Sequence, residues 1–175
     1  MNQRSHEQIL AGKTQAKRIF ATVLTVGWMA VIFLFSAQTG EISGNTSGGI
    51  VDWVLRMVYP DYETFSVEKQ LAMAEIWHLF IRKAAHFTEY AVLGLLTANT
   101  FQTYPIGPGY KWSIPGLVCV LYAISDEIHQ YFVPDRACRF WDVCIDTAGA
   151  IMGIALFALV TRLAKRNVKR SRTMK

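Results

Sequence analysis

The sequence predicts an all-α polytopic membrane protein, a bundle of four transmembrane helices with a short interfacial helix in the first outer loop. Three observations carry that prediction. Hydrophobic residues make up 52% of the chain against 18% charged, and the mean hydropathy is +0.23. The charges are gathered rather than spread: seven Lys and Arg and no acid lie between Arg162 and Lys175, and Arg4, Lys13, Lys17 and Arg18 precede the first apolar run against Glu7 alone. Between these basic ends run long uncharged stretches, the layout of a membrane chain and not the one-faced basic patch of a nucleic-acid protein. The composition excludes disorder, which needs low hydrophobicity and high charge. With 12 Gly and 3 Cys it also excludes collagen-like and disulfide-dense scaffolds.

Residues 19–37 are 19 uncharged residues and form the first span, about 28 Å of helix against a hydrocarbon core of similar thickness. A secretory signal also sets basic residues before an apolar run. This run is long for one, and a cut after Ala37 would leave bulky Phe35 three residues back, so it reads as a retained anchor. Residues 38–75 hold Arg56 and Lys69 against six acids and belong outside. Within them SGNTSGG reads as flexible polar chain. Residues 50–58 then put Ile50, Val51, Val54, Met57 and Val58 on one helical stripe, with Asp52 and Arg56 paired on the other face. This short helix either lies in the outer interface or packs on top of the bundle. Residues 76–99, 112–132 and 142–161 are three further spans, each interrupted by ionisable residues. Four crossings return the chain to its starting side. The expected division is a basic cytoplasmic N-terminus (1–18), a transmembrane domain (19–161) and a basic cytoplasmic tail (162–175).

Tracing the helices through this topology brings the polar residues to one depth. Ser36 and Gln38 end the first helix, and Arg82, Lys83, His86 and Glu89 fall in the outer half of the second. Asp126, Glu127, His129 and Gln130 end the third, and Asp142 and Asp146 begin the fourth. Arg82, His86 and Glu89 share a face by their spacing, as do Asp126, His129 and Gln130. Asp142 and Asp146 lie four apart, and Gly149 and Gly153 continue their stripe, where small residues let a neighbouring helix come close. Intramembrane charges face the bundle interior and pair with one another. Asp146 is therefore expected to contact a cation of the second helix, Arg82 or Lys83, or to hydrogen-bond His86, with Arg136 and Arg139 of the last loop available to the other carboxylates. Taken singly, Arg82 and Lys83 could snorkel, Asp142 could be a first-turn acid, and His129 could be interfacial.

The pattern of these residues resembles the VanZ-like membrane proteins. Arg82-Lys83-Ala84-Ala85-His86-Phe87-Thr88-Glu89-Tyr90, with Gly94, is similar to that family's RK-x-x-H-x-x-E-Y segment. The stretch from Asp126 to Arg136, DEIHQYFVPDR, resembles its DE-x-H-Q-x-F-x-P-x-R segment. Asp142, Val143, Asp146 and Gly149 resemble its D-V-x-x-D-x-x-G ending, and Phe35-Ser36-Ala37-Gln38 with Ser43 and Ser47 its opening. Asp135, where the family often has Gly, and Cys138 and Cys144 depart from the pattern. The resemblance implies a multi-pass protein of the bacterial plasma membrane acting at the outer envelope, as in the namesake's low-level resistance to teicoplanin. It implies no reaction.

The residues themselves leave three readings open. In the first, a polar outer-leaflet site of Arg82, Lys83, Gln130, Arg136, Asp142, Asp146 and Gln38 binds or remodels a phosphate-bearing lipid or a lipid-linked cell-wall precursor, and the 50–58 helix covers it. In the second, an enzyme works on the same head group with His86, Glu89, Asp126 and His129 as acid–base residues. In the third, the cluster only holds the helices together. The expected partners are membrane lipids and not nucleic acid. A metal-assisted variant of the enzyme, a hydrolase or transferase, stays open, because His86, Glu89, Asp126, His129 and Asp146 are ligand types that suit zinc or manganese. The main expectation is no cofactor and no metal, since no HExxH-type pair of histidines exists. Serine-hydrolase and phosphate-loop signatures are absent. Cys138 and Cys144 are near enough in sequence to bridge on an oxidising face, and Cys119 sits in a span.

Overall fold

The computed structural model describes residues 3–38, 40–134 and 136–173, with the side chains of 3–9, 40–47, 168, 172 and 173 outside that description. Asp135, the loop departure from the family pattern, and the side chains of Ser43 and Ser47 thus lie outside the described residues. The architecture is all-helical: α1 (Gln3–Ser36), α2 (Gly40–Val58), a single 3-10 turn (Tyr62–Thr64), α3 (Val67–Gln102), α4 (Tyr110–Tyr131) and α5 (Phe140–Thr173). α1 and α5 run on through the basic ends, so the charged segments continue the apolar helices as helix rather than hanging from them.

Both ends of α3 have a local cause. Ser66 caps α3, its hydroxyl accepting from the Lys69 amide, and Glu68 sits in the first turn, where the helix dipole favours an acid. The Gly107-Pro108-Gly109 turn separates α3 from α4. At 36 residues α3 is the longest element, about 54 Å of helix, and it is the hub of the bundle. Tyr90 and Leu93 of α3 meet Ile32 of α1, Cys119 and Ala123 of α4 and Ala150 of α5 in one buried cluster.

The expectation for the first outer loop needs correction. SGNTSGG is not flexible chain: it lies inside α2, which begins ten residues before the expected 50–58 helix. Gly and Ser are weak helix formers, but the C-terminal half of α2 is anchored. Val51 and Leu55 are buried with Tyr62 against Met73, Ala74, Trp77 and Ile81 of α3, and this packing outweighs propensity. Val51 and Leu55 pack this helix on the bundle, while Ile50, Trp53, Met57 and Val58 stay exposed. Asp52 pairs with Arg56 at 2.9 Å on the exposed side, as its spacing implied, and Arg56 also reaches Glu63. These two acids raise the already high pKa of Arg56, its hydrogen bond to Asp52 most of all.

α3 and α5 run parallel and closer than any ordinary side chain permits. A Cβ on Gly94 would strike the Ala150 carbonyl, one on Gly149 the Phe87 carbonyl, and one on Gly153 the Ala91 carbonyl and the Leu95 amide. The glycine stripe read from spacing is thus an interface of backbone against backbone. α1 runs antiparallel to α3 and is tied to it by polar contacts: Arg18 Nε donates to the Thr103 carbonyl at 2.7 Å, Thr25 and Thr100 hydroxyls meet at 2.9 Å, and the Trp28 indole donates to the Glu89 carbonyl at 2.9 Å.

The burial pattern is inverted relative to a water-soluble bundle. Thr25, Ser36, Thr97, Thr100, Asp126, Glu127, Gln130 and Asp146 are buried, while Phe20, Val23, Leu34, Ile128, Ile151 and Leu159 are exposed. Among the described residues, two helices are long and apolar enough to cross a membrane by length and composition, α1 over Leu10–Ser36 and α5 over Phe140–Ser171.

Candidate functional site

The ionisable residues converge at one end of the bundle, where α1 and α4 finish and α5 starts. The parallel register of α3 and α5 sets two contacts a turn apart. Lys83 Nζ lies 2.6 Å from Asp142 Oδ1, and His86 Nδ1 lies 3.7 Å from Asp146 Oδ1. Asp142 is in the first turn of α5, so it holds its helix N-terminus and the lysine together. Asp146 is fully buried and faces His86, but 3.7 Å is beyond hydrogen-bond range. Neither of its oxygens has a hydrogen-bond partner among the described residues.

α4 supplies a second layer. The Gln130 amide donates to the Ser36 hydroxyl at 2.8 Å and to Asp126 Oδ2 at 3.3 Å, joining α4 to the end of α1. Glu127 Oε2 accepts the Arg139 backbone N–H at 2.8 Å and so fastens the link between α4 and α5. His129 turns elsewhere: its ring stacks on Phe33 of α1, centroids 4.4 Å apart. The expected face of Asp126, His129 and Gln130 is therefore divided, with Asp126 and Gln130 buried and His129 packed on α1.

Between α1, α3 and the α4–α5 link lies a cavity of about 200 Å³ lined by Ser36, Gln38, Arg82, His86, Glu89 and Arg136, with Phe35, Ile50, Ile81 and Ala85 as its apolar wall. Ile50 brings α2 to the site, the covering position expected of that helix. Arg136 Nε donates to the Gln38 carbonyl at 3.1 Å, while its Nη1 is buried with no hydrogen-bond partner among the described residues. Burial, and then the neighbouring Arg82 charge, lower the pKa of Arg136, yet a guanidinium stays protonated at any ordinary pH. A smaller cavity of about 20 Å³, room for one water, lies on the other side of Arg82 and His86, against Lys83, Arg139, Asp142 and Asp146.

The unpartnered polar atoms are concentrated here. His86 Nδ1, Tyr90 Oη, Asp126 Oδ1, Glu127 Oε1, His129 Nε2, Arg136 Nη1 and both Asp146 oxygens are buried without hydrogen-bond partners among the described residues. Buried polar groups are normally satisfied, so this many at one level mark a place built for something polar. One potential ligand atom each from His86, Asp126 and Asp146 lie within 4.8 Å of one another.

Three residues that the sequence placed in the polar layer or in its motifs, without a role in the site, contribute to it. Ser36 and Glu127 act through local geometry, one as the acceptor of Gln130 and one as the anchor of the Arg139 loop. Tyr90 is fully buried under the site, and only its place beside Glu89 in the motif pointed to it. Cys138 and Cys144 do not bridge; both are free, Cys138 exposed and Cys144 partly buried.

The sequence model of the VanZ/LLP1 family matches residues 21–161, which takes in every residue of this site. No curated protein and no solved structure matches the chain.

Proposed function

The chain belongs to the VanZ/LLP1 family, and from that premise we propose that it is a multi-pass protein of the bacterial plasma membrane. In this reading four of its helices cross, both termini are cytoplasmic, and the polar end binds the phosphate or pyrophosphate of a lipid or lipid-linked cell-wall precursor in the outer leaflet. Crossing by α3 and α4 as well as α1 and α5 is supported by the inverted burial: Ile76, Leu79, Leu117, Leu121 and Ile128 are exposed while the acids are inside, the arrangement that lipid favours. Low-level protection against teicoplanin-type lipoglycopeptides would follow if such a precursor were held or altered there.

The observation that carries the phosphate reading is Arg136. A guanidinium presents five donors in a fixed fork that matches phosphate, and this one borders the 200 Å³ cavity beside Arg82 with Nη1 buried and unpartnered. Two like charges drawn to one cavity repel each other, and a phosphate dianion relieves that. Glu89 and His86 line the same cavity, which favours the enzyme alternative over a purely structural cluster. In that alternative His86 is the acid–base group and not His129, whose ring is stacked on Phe33. Binding of undecaprenyl phosphate to the protein in phosphatidylcholine nanodiscs tests the reading. Arg82→Ala and Arg136→Ala should each weaken it at least about tenfold, the worth of one charge-assisted hydrogen bond. Unchanged affinity in both variants would refute it.

A further inference from the structure

We propose that His86, Asp126 and Asp146 form a binding site for a divalent metal ion of the zinc or manganese type, where α3, α4 and α5 meet. The argument begins with charge. Asp126 is 3% exposed and Asp146 0%, yet among the described residues no Lys or Arg nitrogen lies within 4 Å of either; Lys83 is engaged with Asp142 instead. Two carboxylates buried without a cation are costly. Protonation would answer the charge, but a buried carboxyl O–H needs an acceptor, and neither oxygen of Asp146 has a partner among the described residues.

Geometry points to a shared ion. Ligands bonded to one metal at about 2.0–2.2 Å stand about 3.0–3.6 Å from each other. His86 Nδ1 and Asp146 Oδ1 are 3.7 Å apart, too far to hydrogen-bond and close to the spacing of two ligands. One ligand atom each of His86, Asp126 and Asp146 falls within 4.8 Å of the others, so about an ångström of side-chain adjustment brings the three residues around one centre. The free atoms agree: His86 Nδ1, Asp126 Oδ1 and both Asp146 oxygens lack hydrogen bonds among the described residues, while Asp126 Oδ2 is occupied by Gln130. That leaves one imidazole nitrogen and two carboxylates, a set suited to zinc or manganese and too hard for copper(I). The three ligands come from three helices, two of them fixed at backbone contact by Gly94, Gly149 and Gly153. Three protein ligands leave coordination positions for water or an anionic oxygen. Sequence reasoning kept a metal only as a variant of the enzyme reading, since no two histidines share a helix turn and ligand type alone does not say which donors meet across helices. The inference goes beyond the phosphate reading and does not need it, since the ion is measured with no lipid ligand added.

Untagged full-length protein, purified in detergent and stripped with a chelator, should take up one Zn²⁺ or Mn²⁺ per chain by equilibrium dialysis and elemental analysis. Asp146→Asn and His86→Gln should each lower the affinity at least about tenfold, as loss of even an outer-shell partner does. Glu68→Gln, an exposed acid at the far end of α3, should bind as the native chain does. Should a variant fail to accumulate, the native chain loaded with Mn²⁺ or Co²⁺ decides: pulsed electron paramagnetic resonance should detect one directly bound histidine nitrogen. No uptake of either Zn²⁺ or Mn²⁺, native affinity in both site variants, or a bound ion without a nitrogen ligand would each overturn the proposal.

Discussion

Glu89 separates the roles that a single residue could have here. It is half-buried on the wall of the 200 Å³ cavity, and no hydrogen bond or ion pair of its carboxylate is made with the described residues. A scaffold role would depend on such a partner, because removing one member of a buried pair typically costs about 3–5 kcal/mol. Glu89→Gln keeps shape and most hydrogen-bonding capacity while removing charge and basicity. Under the proposed function, we expect the variant to accumulate in the membrane at native level and to lose the proposed envelope protection. Immunoblotting of membranes and teicoplanin susceptibility, measured on the same cultures, check this; normal abundance with full protection would remove Glu89 from the site. At this scale the sequence was a partial guide. Arg82, His86, Asp126 and Asp146 could be placed at one level because helical spacing and crossing direction convert position into depth. Choice of partner could not be read, since it depends on side-chain reach across helices: Asp146 faces His86 and not Arg82, and His129 stacks on Phe33.

Among the elements, the α3–α5 contact makes the sharpest stability prediction. Replacing a helical glycine by alanine ordinarily stabilises by about 1 kcal/mol. At Gly153 the added methyl would meet the Ala91 carbonyl and the Leu95 amide, backbone atoms that cannot rotate away. Overpacking of this kind costs about 1–3 kcal/mol, and against backbone atoms the upper part of that range applies, so after the gain of about 1 kcal/mol Gly153→Ala should be net destabilising by up to about 2 kcal/mol. Gly27→Ala, with open space around it, should be neutral or slightly stabilising. Thermal unfolding of both variants in detergent checks the sign; a Gly153→Ala melting point at or above the native value would contradict the contact. This interface was legible because Gly149 and Gly153 stand one turn apart behind Asp142 and Asp146. α2 was legible only in its apolar half. Its beginning is a run of Gly, Ser, Asn and Thr with no periodicity to read, and what holds the helix is Val51 and Leu55 against a partner far along the chain.

For the whole molecule, the prediction concerns sidedness. The topology proposed above, with both termini in the cytoplasm, follows the positive-inside rule applied to the basic ends and the acidic segment between them, and the native cysteines report on it. Cys138 is exposed in the link that should face outward, and Cys119 is fully buried against Thr97. A membrane-impermeant maleimide added to intact cells should label Cys138 in the native chain. A chain carrying Cys138→Ser, Cys144→Ser and Arg170→Cys should stay unlabelled until the cells are permeabilised. The reverse pattern would invert the topology. The parallel pairing of α3 and α5 also makes the molecule a device in which angular phase matters more than distance. Lys83 with Asp142, His86 with Asp146, and Phe87 with Gly149 follow one another along the same two helices, so they share a single register. One residue added between Asp146 and Gly149 would leave the glycines seated and rotate the acids by about 100° while lifting them about 1.5 Å. The fold would survive such an insertion and its polar end would not: the three-residue interval from acid to glycine is the timing by which a packing surface aims a charged one.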